Sequence, residues 1–100
     1  MTKSRRRERQ ARAPVTRRIE DVPNLGPFTA RRLAEIGVTT EGELRAMGSA
    51  VAYHRLKFLF GREVTLNALW AMDAALAGID WRHLPEGRKQ ELRAMIRQGT

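Results

Sequence analysis

The amino-acid sequence predicts an all-α fold, a compact bundle of about five short helices that follows a basic N-terminal segment. Two observations lead to this prediction. Signals for helix starts and helix ends follow one another from Val22 onward, and no stretch alternates between apolar and polar residues as a half-buried strand does. The β-branched residues at 38–40 lie between a glycine and a helix start, a position that does not favour a strand. At 100 residues and 42% hydrophobic content, the chain suits one domain with one modest core.

The first two helices are predicted from local signals at their ends. Pro27 suits the first helical position, because its missing N–H would have no partner within the helix there. Gly37 is expected to end this helix, since glycine adopts the left-handed conformation of a C-cap at little cost. Residues Thr40–Glu43 are typical of a capping box, in which two side chains accept hydrogen bonds from each other's backbone N–H groups. A second, short helix is therefore predicted, and it should end at Gly48.

The remaining three helices follow from the same kind of signal. The third is predicted over 50–60 with Ser49 as its cap, and the fourth over 66–77 with Thr65 as its cap. The fourth is apolar nearly all round, which predicts a position at the centre of the domain. A fifth helix is expected from Pro85, with its apolar residues on one face.

Positive charge is concentrated at the N-terminus. Residues 1–18 contain eight basic side chains against Glu8 alone, which gives a formal charge of +7, whereas the remaining 82 residues carry +1. We therefore divide the chain into a basic tail (1–18), expected to be disordered by its own repulsion, and a helical domain (19–100). Such a tail would bind any polyanion. The alternative is that it only keeps the protein in solution.

Composition excludes several classes of protein. Cysteine is absent, so disulfides and thiolate metal sites are ruled out, as suits a reducing compartment. The sequence contains no apolar run long enough to span a membrane and no secretory signal, so we expect a cytoplasmic protein with no membrane partner. It also contains no phosphate-binding loop, nucleophile elbow or metal-ligand set. We expect no catalytic residues, metal or cofactor, and a binding module rather than an enzyme.

The segment from Val22 to Leu33 is the most informative motif. It resembles the hairpin and second helix of a helix-hairpin-helix motif, and the all-α bundle is accordingly expected to be of the helix-hairpin-helix or SAM-like type. A tight turn at a helix N-terminus directs backbone N–H groups outward, where the helix dipole also favours an anion such as a DNA phosphate. Asn24 replaces the first glycine of the motif, and Pro27 removes one possible donor. The alternative is that the turn only sets the direction in which the first helix begins.

Eight residues are candidate nucleic-acid-binding residues. The hairpin and the helix after it supply the first five, and the tail supplies three arginines that can neutralise phosphates. They are Asn24, Gly26, Thr29, Arg31 and Arg32, together with Arg5, Arg6 and Arg7.

Six other side chains allow a structural or a functional interpretation. Asp73 faces the core by helical position, and we expect it to pair with an arginine or to cap a neighbouring helix rather than to act in catalysis. The two histidines are predicted to lie on the surface, and Trp70 and Trp81 to anchor the core. Phe58 lies on a basic side of the third helix. We expect it to pack beneath a neighbouring helix, although it could instead stack on a base or contact a partner.

From Val22 to about Ile96 the chain also resembles a known family. Three groups of residues occur in order: 23–27 with 33–37 and 43–45, then 51–57 with 66–72, then 80–82 with 84–85 and 88–89. They are similar to the C-terminal domain of the TfoX/Sxy family, bacterial proteins linked to natural competence. The resemblance implies an all-α fold and a role in regulating DNA uptake or transcription.

Two functions remain open from the sequence. The first is sequence-independent association with DNA, in which the tail supplies affinity and the hairpin positions a phosphate. The second is a module that binds another protein through a helix face, with no direct role for nucleic acid. A DNA-binding side should bring Arg31, Arg32, Arg55 and Lys57 together, whereas a protein-binding side should expose apolar residues such as Phe58.

Overall fold

The computed structural model describes residues 17–98 and contains five α-helices. They are α1 (Pro27–Glu35), α2 (Glu41–Met47), α3 (Ser49–Phe60), α4 (Leu66–Ala77) and α5 (Glu86–Gln98). Single 3₁₀ turns precede α1, α4 and α5, at Ile19–Asp21, Gly61–Glu63 and Trp81–His83. No strand occurs between residues 17 and 98, where extended pairing is limited to one isolated bridge between Arg18 and Thr40. The predicted all-α fold is confirmed.

The hydrophobic core contains side chains from all five helices. Leu33 of α1, Leu44 of α2, Leu56 of α3, Leu69 of α4 and Leu92 of α5 are each at most 1% exposed. Helix α4 buries six of its twelve residues, in keeping with its predicted central position. Helix α3 packs against all four other helices, so it shares the centre of the bundle with α4.

Two residues that were assigned to the tail belong to the folded domain. The backbone of Arg17 accepts a hydrogen bond from Glu41 N (2.8 Å), and Ile19 N donates to Thr39 O (3.0 Å). The Arg17 guanidinium binds the carboxylate of Glu41, which is 3% exposed. The ordered contacts therefore begin at least two residues before the expected boundary at 18/19. Arg5, Arg6 and Arg7 lie outside the described residues.

The helix ends differ from the predictions at two caps. Residue Gly48, with φ +89°, is the N-cap of α3, and the Ser49 hydroxyl donates to Asp73 instead of capping the helix. The predicted cap at Ser49 is therefore wrong, because a tertiary partner competes for that hydroxyl. Residue Thr65 is the N-cap of α4 but makes no side-chain capping bond. The capping box of α2 is present, with Thr40 and Glu43 satisfying each other's N–H groups.

Within the part of the chain that the structure covers, no helix has both the length and the apolar character needed to cross a bilayer.

Candidate nucleic-acid interface

Two sets of contacts, apolar and hydrogen-bonded, hold the hairpin before α1 in place. Val22 and Leu25 are buried, at 2% and 3% exposure, and hold it to the core. Asn24 between them adopts φ +76°, the left-handed conformation that asparagine tolerates better than other non-glycine residues. Its side chain donates to Ile79 O (2.7 Å) and accepts from Trp81 N (3.3 Å). Asn24 therefore joins the hairpin to the connection between α4 and α5, which leaves its side-chain amide committed within the fold.

Three backbone amides at the start of α1 have no hydrogen-bond partner in the described part of the chain. Gly26 is the N-cap of this helix, and its carbonyl accepts from Ala30 N (2.9 Å). None of the hydrogen bonds found among residues 17–98 uses the N–H groups of Gly26, Phe28 or Thr29. Gly26 is exposed, and a Cβ built on it would meet no atom within 4 Å. Three donors at the positive end of a helix dipole are thus available to an external acceptor.

The two arginines of α1 have different environments. The guanidinium of Arg32 binds the Glu63 carboxylate and donates to Glu63 O (3.1 Å). It also lies over the rings of Phe28 and Phe60, 4.0 and 5.0 Å from their centroids. Arg31 is exposed and has no ion pair or hydrogen bond among residues 17–98. Of the two arginines, Arg31 is the one available to a phosphate, and Arg32 holds α1 against the 3₁₀ turn before α4.

Thr29 lies on the wall of an open groove next to the hairpin. The groove is also lined by Asn24, Phe28, Asn67 and Trp81. Thr29 is half-buried there, in the first turn of α1. Asn24, Gly26 and Thr29 thus lie at the N-terminal end of α1.

Asp73 is accommodated by a buried ion pair, as predicted. It is 6% exposed and accepts hydrogen bonds from Ser49 Oγ (2.8 Å) and from Nε and Nη2 of Arg88 (2.8 and 2.9 Å). Burial opposes ionisation of this carboxyl, but the bonds from Arg88 and Ser49 outweigh that effect and lower its pKa below the ordinary value. Both carboxylate oxygens are occupied, so Asp73 serves to hold α3, α4 and α5 together.

Three exposed or half-buried side chains depart from the sequence predictions. Trp81 was expected in the core but is 39% exposed, whereas Trp70 is 6% exposed and is the anchor that was predicted. Phe58 is 89% exposed, so the prediction that it packs beneath a neighbouring helix is wrong. Of the histidines, His83 is exposed as expected, but His54 is half-buried, and its Nε2 atom is buried without a hydrogen-bond partner in the described part of the chain. No group of three potential metal ligands occurs in that same part.

These features define a class: a small all-helical domain with a glycine hairpin that leaves backbone donors open at the N-terminus of its first α-helix. The particular family follows from comparison with known proteins. The family described as "TfoX C-terminal domain" matches residues 15–96. The chain belongs to this family, as its resemblance predicted.

Two curated relatives support the same assignment. The chain is 26% identical over 92 residues to "DNA transformation protein TfoX1" of Aliivibrio fischeri, which is 92% of this chain and 44% of that protein. It is 32% identical over 75 residues to "Protein Sxy" of Escherichia coli, which is 75% of this chain and 35% of that protein. The chain thus spans less than half the length of either relative.

Two solved structures share the fold. Both come from Listeria monocytogenes, one described as an uncharacterized protein in a triclinic form and one as a protein of unknown function in a tetragonal form. The first is 32% identical, with a TM-score of 0.71, over 76% of this chain and 85% of the other. The second is 29% identical, with the same TM-score, over 82% of this chain and 99% of the other.

Proposed function

We propose that the chain is a DNA-associated regulatory module of the TfoX family that contacts phosphates without reading sequence. The basic N-terminal segment supplies affinity, and the hairpin positions one phosphate at the start of α1. The observation that carries the proposal is the set of open N–H groups at Gly26, Phe28 and Thr29, in a chain with a formal charge of +8. The name of the relative from Aliivibrio fischeri, a DNA transformation protein, favours the same ligand.

The proposal divides the candidate residues into three roles. Gly26 and Thr29 supply backbone donors to the phosphate, and Arg31 adds a charge-assisted contact from the next turn. Asn24 and Arg32 position the hairpin and α1, because their side chains are bonded within the fold. The tail arginines neutralise further phosphates. Arg17 and Arg18 are excluded from this role because they form ion pairs with Glu41 and Glu20. Without them, residues 1–16 carry a formal charge of +5. The proposed function is binding alone, without catalysis.

A Gly26→Asp variant tests the role of the hairpin while preserving the fold. An aspartate at an N-cap accepts hydrogen bonds from the second and third helical N–H groups, here those of Phe28 and Thr29, and stabilises the helix by a few tenths of a kcal/mol relative to glycine. The same carboxylate occupies the donors that a phosphate would use. We expect this variant to keep its thermal stability and to bind duplex DNA more weakly.

The measurement is a titration of a fluorescent duplex at several salt concentrations. The slope of log K against log salt reports the number of phosphates neutralised by cationic side chains, and loss of the phosphate that Arg31 contacts should reduce it by about 1. Gly87→Asp is the matched control: it adds the same charge at an exposed glycine in the first turn of α5, with no atom near its Cβ, and should leave the slope unchanged. Substituting Arg5, Arg6 and Arg7 by glutamine should lower the slope by about 3.

Equal slopes for Gly26→Asp and Gly87→Asp would remove the folded domain from the proposal. A full chain that binds DNA without steep salt dependence would refute the proposal altogether.

A further inference from the structure

An exposed apolar face lies on α3, away from its buried side. Phe58 is 89% exposed and Leu59 is 54% exposed, and they line an open groove with Ile36, His54 and Arg55. We call these five residues the α3 face. An exposed phenylalanine and an exposed leucine that line one groove form a contiguous apolar patch, and contiguous patches rather than scattered apolar residues mark contact sites.

One positive charge of the α3 face has no acidic partner among residues 17–98. Ion pairs are made elsewhere in that range by Arg17, Arg18, Arg32, Arg45, Arg82, Arg88 and Arg93. Arg55 in the α3 face has no ion pair or hydrogen bond with any described residue, and the same holds for Arg62, two residues beyond the end of α3. Arg55 therefore places beside Phe58 and Leu59 a positive charge that no carboxylate among residues 17–98 pairs with.

We propose that the α3 face docks an acidic, amphipathic segment of another protein. Apolar side chains of that segment would pack on Phe58, Leu59 and Ile36, and a carboxylate would pair with Arg55. Arginine and aromatic residues together are the side chains that most often dominate binding energy at protein interfaces. An amphipathic helix in an apolar groove is a recurrent mode of recognition.

Charge decides between the possible occupants. The chain's own basic segment, at +7 for residues 1–18, would be repelled by Arg55. In a symmetric contact between two copies, the α3 face would pack on itself and bring two Arg55 side chains to one interface, which places like charges across the contact. Phe58 and His54 have rings on which a base can stack, but Ile36 and Leu59 extend the face with aliphatic surface, which favours a protein segment over nucleic acid. The α3 face is separate from the hairpin, so this proposal does not depend on the proposed DNA contact.

The test starts with selection of displayed random 15-residue peptides against the immobilised full chain. We expect the recovered peptides to combine Asp or Glu with Leu, Ile, Phe or Met at spacings of three and four residues. A fluorescent synthetic copy of the most enriched peptide should then lose at least tenfold in affinity for Phe58→Ser and for Arg55→Glu. Met95→Ser, an exposed apolar position on α5 at 45% exposure, is the matched control and should bind as the parent does. Gly26→Asp should also leave peptide affinity unchanged, which separates this test from that of the hairpin.

Circular dichroism should show the same unfolding curve for Phe58→Ser as for the parent, because the ring is almost entirely exposed. Recovery of peptides that are not acidic, or whose affinity is unaffected by Phe58→Ser, would overturn the proposal. So would a failure to recover binding peptides. If Phe58→Ser instead weakens binding of a single-stranded oligothymidylate, the face serves nucleic acid and the protein-docking proposal is wrong.

Discussion

At the scale of single residues, two buried carboxylates are held ionised by arginines. Asp73 of α4 pairs with Arg88 of α5, and Glu41 of α2 pairs with Arg17 and Arg45. For each carboxyl, burial alone would raise the pKa, and hydrogen bonds from the arginines lower it below the ordinary value. Because the folded-state pKa values are depressed, both groups stabilise the fold above the unfolded-state pKa values of about 4. That contribution is lost as the pH falls below about 4.

An Arg88→Met variant should invert this dependence for Asp73. The carboxyl would remain buried with Ser49 as its one partner, so burial would raise its pKa above the unfolded value. We expect the free energy of unfolding to fall by about 2–3 kcal/mol at pH 7. This is somewhat below the usual cost of breaking a buried ion pair, because Arg88 is partly exposed. The loss should shrink as the pH falls from 7 toward 4, because the variant takes up a proton on folding. Urea unfolding of the parent and the variant at pH 4, 5.5 and 7 measures the loss in unfolding free energy. An equal loss at all three pH values would contradict this account of Asp73.

At the scale of elements, the helices were predictable because their boundaries depend on nearby residues. Pro27 begins α1 and the Thr40–Glu43 capping box begins α2, and both signals act within a few residues of the helix that they start. The cap of α3 was misplaced because Ser49 has a partner 24 residues away in Asp73, and local rules cannot include such a partner. That Asp73 pairs with an arginine was predictable from the cost of burying a charge, but which arginine was not.

The candidate site shows the same division between local and distant information. The turn, its positive φ at Asn24 and its place before α1 follow from the motif itself. The bonds from Asn24 to Ile79 and Trp81 span 55 and 57 residues, so the sequence contains no signal of them. Nor could it show that Phe58 is exposed, because helical position alone does not say where the neighbouring helices end.

Two substitutions at Asn24 separate its side-chain bonds from its backbone conformation. Asn24→Gly keeps the left-handed backbone but removes the hydrogen bonds to Ile79 and Trp81. We expect its free energy of unfolding to fall by about 1–2 kcal/mol. Asn24→Ala loses the same bonds and adds a penalty of about 1 kcal/mol for φ +76°. Chemical unfolding of both variants measures the two contributions. If the glycine variant is as stable as the parent, the hairpin is not held by these bonds.

At the scale of the whole molecule, charge and apolar surface are placed in different regions. The first 18 residues carry most of the net charge, and the hairpin leaves three amides open at the start of α1. The α3 face exposes Phe58 and Leu59 elsewhere on the domain. Such an arrangement allows one small domain to hold DNA through its N-terminal side while a protein partner occupies α3, as the two proposals together imply.

The most direct test of the DNA proposal is a titration of the ¹⁵N-labelled full chain with a short duplex, followed by NMR at each backbone amide. We expect the signals of Gly26, Phe28 and Thr29 to move together, with the same midpoint as the signals of residues 1–16. Pro27 between them has no N–H and gives no signal. If only residues 1–16 respond while these three amides stay in place, the hairpin does not bind phosphate, and the central claim is contradicted.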